Sequence, residues 1–169
     1  VFEELERQGF SVSYLTPDGN GIIALDKITQ ALRPDTILCS FMQVNNEIGV
    51  IQDIAAISSL LKAKGVLLHV DAAQSFGPLG TDVHALGVDL MSFSAHKVYG
   101  PKGVGALYLR QKPRIQLKPI LFGGGQEKGL RPGTQSLALI AGMTYAFEKM
   151  NRLRTVEIEQ LQAFRFELE

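Results

Sequence analysis

The chain has no tryptophan and a single cysteine, Cys39, among its 169 residues. One thiol excludes an internal disulfide framework and fits a reducing compartment. Neither sign of charge prevails: Lys plus Arg and Asp plus Glu number 17 each, so the formal net charge is zero. With no overall basic field, no nucleic-acid partner is expected. No apolar run approaches the ~20 residues that a membrane-spanning helix needs, so no membrane partner is expected either. Charged residues are only 20% of the chain against 46% hydrophobic, which excludes disorder driven by charge. What is present has the length of about one ordinary domain, long enough to bury a core.

Both ends read as cut. Val1 leads at once into what reads as the end of a helix, Phe2 to Gln8, stopped by Gly9. Val156, Ile158, Leu161, Phe164 and Leu168 keep helical spacing to the far end with no stop signal. The expectation is a partial chain, for which the absence of a targeting segment carries no information.

Strand and helix patterns alternate in between. Gly9 to Leu15 reads as a strand, followed by turn residues Thr16 to Gly21. Leu25, Ile28, Ala31 and Leu32 recur at helical spacing until Arg33-Pro34. Thr36 to Met42 is a short apolar run of buried-strand length, and Asp53 is placed to cap a helix carrying Ile54, Ile57, Leu60 and Leu61. Further strands are predicted over Val66 to Val70, Asp89 to Ser94 and Gly105 to Leu109, and a helix over Gln135 to Met150. Near-continuously apolar strands separated by helices predict an α/β fold with a parallel or mixed sheet covered on both faces.

Ligands of open α/β sheets sit outside the carboxyl ends of the strands. Three consecutive strands here run into polar groups at that point: Asn45, Asn46 and Glu47; then Asp71 and Gln74; then Ser94, His96 and Lys97. Each group alone is explained by caps and turns, and a salt bridge between Asp71 and Lys97 is the plain reading of that pair. Pyridoxal phosphate is the sharper one. It needs a lysine amine to form a Schiff base and a carboxylate facing its pyridine nitrogen, which keeps the ring an electron sink. Ser94 and His96 are then placed to hold the phosphate.

Other features carry less. Gly19-Asn20-Gly21-Ile22-Ile23-Ala24 matches a dinucleotide fingerprint in letters, but Asp35 precedes the next strand rather than ending it, so the glycines read as a turn. Gly100 to Gly105 lacks the Gly-Lys-Ser/Thr of a phosphate-binding loop and reads as a connection to the next strand. Gly123-Gly124-Gly125 through Arg131-Pro132-Gly133-Thr134 is a long polar loop with a cation and a hydroxyl that suit an anion. His69 and Asp71 share a strand face as metal ligands do, yet no further ligand follows, so no metal is expected. His84 reads as solvated in a short polar connection, and Cys39, within an apolar run, as an inert thiol.

Taken together, Val44 to Asp53, His69-Val70-Asp71-Ala72-Ala73-Gln74-Ser75, Asp89 to Gly105 with its Ser94-Ala95-His96-Lys97, and Gly123 to Thr134 resemble the cysteine desulfurases. These belong to the class V aminotransferase group of pyridoxal-phosphate enzymes. The resemblance runs over nearly the whole chain. It implies the large domain of a fold-type I transferase, a mostly parallel sheet with helices on both faces. Residues 1–169 would be part of that cofactor-binding domain, with an N-terminal portion and a C-terminal small domain missing.

It also implies residue roles. Lys97 matches the lysine that carries the cofactor and relays protons at the substrate Cα. Asp71 matches the partner of the pyridine nitrogen, Asn46 and Gln74 match contacts to the 3-hydroxyl side, and Ser94 and His96 match phosphate ligands. Thr134 matches a phosphate contact given to the neighbouring subunit, so a homodimer is implied. The implied reaction takes sulfur from L-cysteine, leaving L-alanine and an enzyme persulfide that passes sulfur to acceptor or scaffold proteins for iron–sulfur clusters and related pathways. The implied location is cytoplasmic in a bacterium and mitochondrial or plastid in a eukaryote. The family's persulfide cysteine, its carboxylate-binding arginine and its ring-stacking histidine have no counterpart in these residues, so the chain alone is expected to be inactive. A selenocysteine lyase or another class V relative is the second reading. A non-catalytic protein that keeps the fold as a partner surface is the third, and joint retention of Asp71, Gln74, Ser94, His96 and Lys97 argues against it.

Overall fold

Four five-residue runs, β1 (Leu38–Met42), β2 (Leu67–Asp71), β3 (Leu90–Ser94) and β4 (Gly105–Leu109), pair in that order into one sheet. The computed structural model describes residues 1–168. β1–β2 and β2–β3 are parallel and β3–β4 is antiparallel. Parallel neighbours need a crossover, and helices supply it. α3 (Ile54–Ala63) lies between β1 and β2, and the short α4 (Val83–Leu86) between β2 and β3. α1 (Phe2–Arg7) and α2 (Leu25–Ala31) precede the sheet, and α5 (Leu137–Leu168) follows it.

The helix ends form where their sequence signals stand. Asp53 caps α3, its side chain accepting from Ala56 N at 3.0 Å. Asp82 caps α4, accepting from His84 N and Ala85 N, and these backbone N–H groups hold its carboxyl below its usual pKa. Gly87 closes α4 at φ 65°, a left-handed conformation that glycine adopts without strain.

Side chains alternate across the strands, and the two faces differ. Phe41, Leu68, Val70, Met91 and Phe93 meet Ile28 of α2, Ile54, Ile57 and Leu61 of α3, and Val83 and Leu86 of α4 in one core. α5 joins the same side. Phe147 packs edge-on against Phe76 and Phe93, whose own rings stack at 4.1 Å. Of the two faces expected to carry helices, this one is therefore covered by α2 to α5. The other carries Ser40, His69 and Ser92, all half-buried and polar.

Three readings of the sequence change. Gly9 to Leu15 is extended but pairs with no strand among the described residues. Its polar groups go instead to Arg33, which donates to Ser11 O and Ser13 Oγ, each at 2.8 Å. The helix expected over Gln135 to Met150 and the periodic tail are one helix, α5, because no proline interrupts Leu137 to Leu168 and its single glycine, Gly142, is carried within the helix. His84 lies in α4 rather than in a connection, though it is exposed. Gly19 to Gly21 form a turn, with the Asp18 carboxylate accepting from Asn20 N and Ile22 N. No helix is long and apolar enough to cross a membrane among the described residues.

Candidate cofactor site

β2 ends on Asp71 and β3 on Ser94, and the register pairs Asp71 with Ser92. Because alternate residues of a strand share a face, Asp71, Ser92 and Ser94 stand together at the carboxyl edge. Asp71 Oδ1 accepts from Ala73 N at 2.9 Å, while its other oxygen accepts no hydrogen bond among the described residues. Ser94 is more telling. Its Oγ is buried and has no hydrogen-bond partner among the described residues, a state that costs about 1–3 kcal/mol unless a ligand completes it.

Beyond Ser94 the chain makes a 3-10 turn, Ala95–Val98, that presents His96 and Lys97 to solvent. Lys97 makes no ion pair with Asp71 or with any other described residue, so the plain salt-bridge reading of that pair fails. The turn is pinned from both sides: Ala95 N donates to Val104 O at 3.1 Å and Gly100 N to Ala95 O at 2.9 Å. A Cβ on Gly100 would come within 2.8 Å of Ala95 O, and one on Gly105 within 2.7 Å of Phe93 O. Only glycine permits that doubling back of the chain around the lysine. Tyr99, at φ 63°, caps the turn in the left-handed region.

The loop after β1 is shaped by Asn45, whose Oδ1 accepts from Glu47 N and Ile48 N at 2.9 and 3.0 Å. It leaves Asn46 exposed, with Nδ2 donating to Glu47 Oε1 at 3.0 Å. The loop after β2 is tied to it by two links that the sequence did not announce. Gln43 N donates to Asp71 O at 2.9 Å, and the buried Ser75 Oγ donates to the buried Gln43 Oε1 at 2.7 Å. Gln74 is half-buried beside Ser75, its amide without a partner among the described residues.

Thr134 stands apart. It is exposed in the glycine-rich loop, whose turn Gln126–Gly129 is closed by Gly133 N donating to Gln126 Oε1 at 3.2 Å, and it makes no hydrogen bond to the strand-end residues. A concavity of about 330 Å³ lies elsewhere, between Tyr99 and α5. Cys39 is half-buried in β1, and burial pushes its thiol pKa up, away from the thiolate a nucleophile needs. No three His, Cys, Asp or Glu gather as a metal would require among the described residues.

A lysine turn, a carboxylate and an orphaned hydroxyl thus stand at neighbouring strand ends of a mostly parallel sheet in an α/β domain. The family model for "Aminotransferase class-V" matches residues 1–164, and the chain belongs to that family. It is 55% identical over 165 residues to the cysteine desulfurase IscS of Methylococcus capsulatus, an alignment covering 98% of this chain and 41% of that protein. Among solved structures it is similar to a NifS-like protein, with TM-score 0.94 and 37% identity over 99% of this chain and 46% of the other. It is also similar to SspA in complex with cysteine, with TM-score 0.84 and 46% identity over 87% and 42%. The chain thus spans about two fifths of the length of the IscS relative it matches.

Proposed function

We propose that this chain is the pyridoxal-phosphate-binding part of a cysteine desulfurase, completed by an N-terminal portion and a C-terminal small domain. Coverage of about two fifths of the IscS relative supports the division, and the cysteine held by the SspA relative supports the substrate. The observation that carries the cofactor reading is the buried Ser94 Oγ, without a partner among the described residues, three residues before a lysine that makes no ion pair among them. A phosphate oxygen is the acceptor that hydroxyl lacks.

The residues present fit the group. Ser94 and His96 would hold the phosphate, Asp71 the pyridine nitrogen through its free carboxylate oxygen, and Asn46 and Gln74 the 3-hydroxyl side. When bound, the cofactor supplies an electron sink for negative charge that develops at the substrate Cα. Asp71 keeps a proton on the ring nitrogen by charge and hydrogen bonding. Lys97, uncommitted to any ion pair, has an amine free to anchor the cofactor and to move a proton at Cα of L-cysteine. The overall change transfers the substrate sulfur to an enzyme thiol: L-cysteine plus thiol gives L-alanine plus persulfide. Cys39 is not that thiol, because it lies in β1 with its thiolate disfavoured. Thr134, exposed and uncommitted, is free to contact a second subunit's phosphate in a homodimer. Sulfur acceptor or scaffold proteins are the partners of that reading.

The test uses the full-length protein. Pyridoxal phosphate should give an absorbance band at the edge of the visible that Lys97→Ala abolishes, together with sulfide release from L-cysteine when a thiol reductant is present to cleave the persulfide. An unchanged band in that variant removes Lys97 from its role.

A further inference from the structure

On the sheet face opposite the core, the middles of β1, β2 and β3 are polar without any demand from that core. Where the helix-covered face has Leu68, Val70, Met91 and Phe93, the opposite face has Ser40, His69 and Ser92 at mid-strand. Half-buried polar groups are costly unless satisfied, and here both ring nitrogens are. His69 Nδ1 lies 2.8 Å from Ser40 Oγ on β1, and Nε2 lies 3.2 Å from Ser92 Oγ on β3. The row therefore crosses three strands. It stops beside Asp71, which follows His69 on the same face of β2 and pairs in register with Ser92.

Serine hydroxyls donate or accept, so the two flanking residues suit a neutral imidazole in either tautomer. Neither Ser40 nor Ser92 titrates near neutrality. Among the described residues Asp71 is the one charged group acting on His69; Asp89 and Arg110 pair with each other where β3 begins and β4 ends. Burial disfavours the imidazolium more than Asp71 favours it, so the ring's pKa falls below its ordinary value.

We propose that His69 is a positioning residue for Asp71: a neutral imidazole, bridged between Ser40 and Ser92, that orders the carboxyl edge of β2 and leaves the Asp71 charge unpaired for a cationic ring nitrogen. A protonated or permanently cationic side chain at this position sits on the face of Asp71 and competes for its charge. The proposal rests on the cofactor reading above and extends it to a residue outside the strand-end group.

Cofactor affinity, read from the absorbance band of the full-length protein titrated with pyridoxal phosphate between about pH 8 and about pH 5, tests this. Hydrogen bonds from outer-shell residues around metal ligands are worth roughly 10- to 100-fold in affinity, and the same scale is taken here. His69→Lys should weaken binding at least about tenfold at neutral pH. His69→Gln, neutral and able to hydrogen-bond, should stay within about threefold of the unsubstituted protein and lose the fall in affinity that it shows on acidification. Equal binding by His69→Lys, or an acid fall that persists in His69→Gln, overturns the proposal. If His69→Lys does not fold by circular dichroism, the pH profile of His69→Gln decides alone. An unsubstituted protein that binds no pyridoxal phosphate, or Asp71→Asn binding as tightly as it does, overturns the cofactor reading and this proposal with it. Normal behaviour of both beside indifferent His69 variants overturns this proposal only.

Discussion

Asp89 Oδ1 and Arg110 Nε form a 2.6 Å ion pair that fastens β4 to the start of β3. The other carboxylate oxygen accepts from Leu68 N at 2.8 Å, and Arg110 N donates to Asp89 O at 2.9 Å. One aspartate thus joins three strands at the end of the sheet opposite the lysine turn. Removing one partner of a fully buried pair costs about 3–5 kcal/mol. The Asp89 side chain is 4% exposed and that of Arg110 27%, so water partly replaces what is lost. Arg110→Ala should cost about 2–3 kcal/mol and lower the thermal midpoint of the full-length protein; an unchanged midpoint would show the pair to be structurally idle.

Ser94→Ala removes a buried hydroxyl that has no partner among the described residues. With the orphaned group gone, the fold should be as stable or slightly more so. Cofactor affinity should nonetheless fall about tenfold or more, the scale of a hydrogen bond to a charged group. Calorimetry with and without pyridoxal phosphate separates the two effects, and a loss of stability with unchanged affinity would reverse the assignment.

Gly100→Ala should damage the lysine turn. Its new Cβ would meet the backbone oxygen of Ala95 at 2.8 Å, and a carbonyl cannot step aside as a flexible side chain can. The Gly100–Ala95 hydrogen bond then lengthens and Lys97 shifts. The expected result is a weaker or displaced absorbance band with most of the secondary structure kept, measured by absorbance beside circular dichroism.

Cys39 should behave as a structural thiol. Because burial raises its pKa, iodoacetamide at neutral pH should label it at least about tenfold more slowly in the folded protein than in urea. Cys39→Ala should leave sulfide release from L-cysteine unchanged. Loss of that activity with normal folding would make Cys39 the persulfide carrier.

His69 adds a pH signature to stability. Its native pKa lies below the ordinary 6.5, so the unfolded chain binds the proton first as pH falls. Its stabilising contribution is complete above 6.5 and declines below that value until the native ring protonates. His69→Gln should flatten this part of the profile in urea unfolding followed against pH, and an identical slope in both proteins would contradict the linkage.

Much of this was legible in order along the chain. The strands read as short apolar runs, and Asp71, Ser94, His96 and Lys97 fell where strands end. Asp53 announced its helix because capping is a local event. What did not show was whatever depends on register. The row Ser40–His69–Ser92 exists because residues far apart in sequence lie side by side across β1, β2 and β3, and the link from Ser75 to Gln43 is of the same kind. His69 and Asp71 were visible as one face, but that spacing points to a metal ligand as readily as to a serine-bridged ring. Gly9 to Leu15 misled for the converse reason. Its alternation is that of a strand, yet strand character needs a partner, and its polar atoms were taken by Arg33.

The central claim is that the Lys97 amine captures the cofactor. Full-length protein treated with pyridoxal phosphate and borohydride, digested and mapped by mass spectrometry, should carry the added mass on the peptide containing Lys97 and on no other lysine. Mass on a different lysine, or none on Lys97 when the protein binds the cofactor, would contradict it.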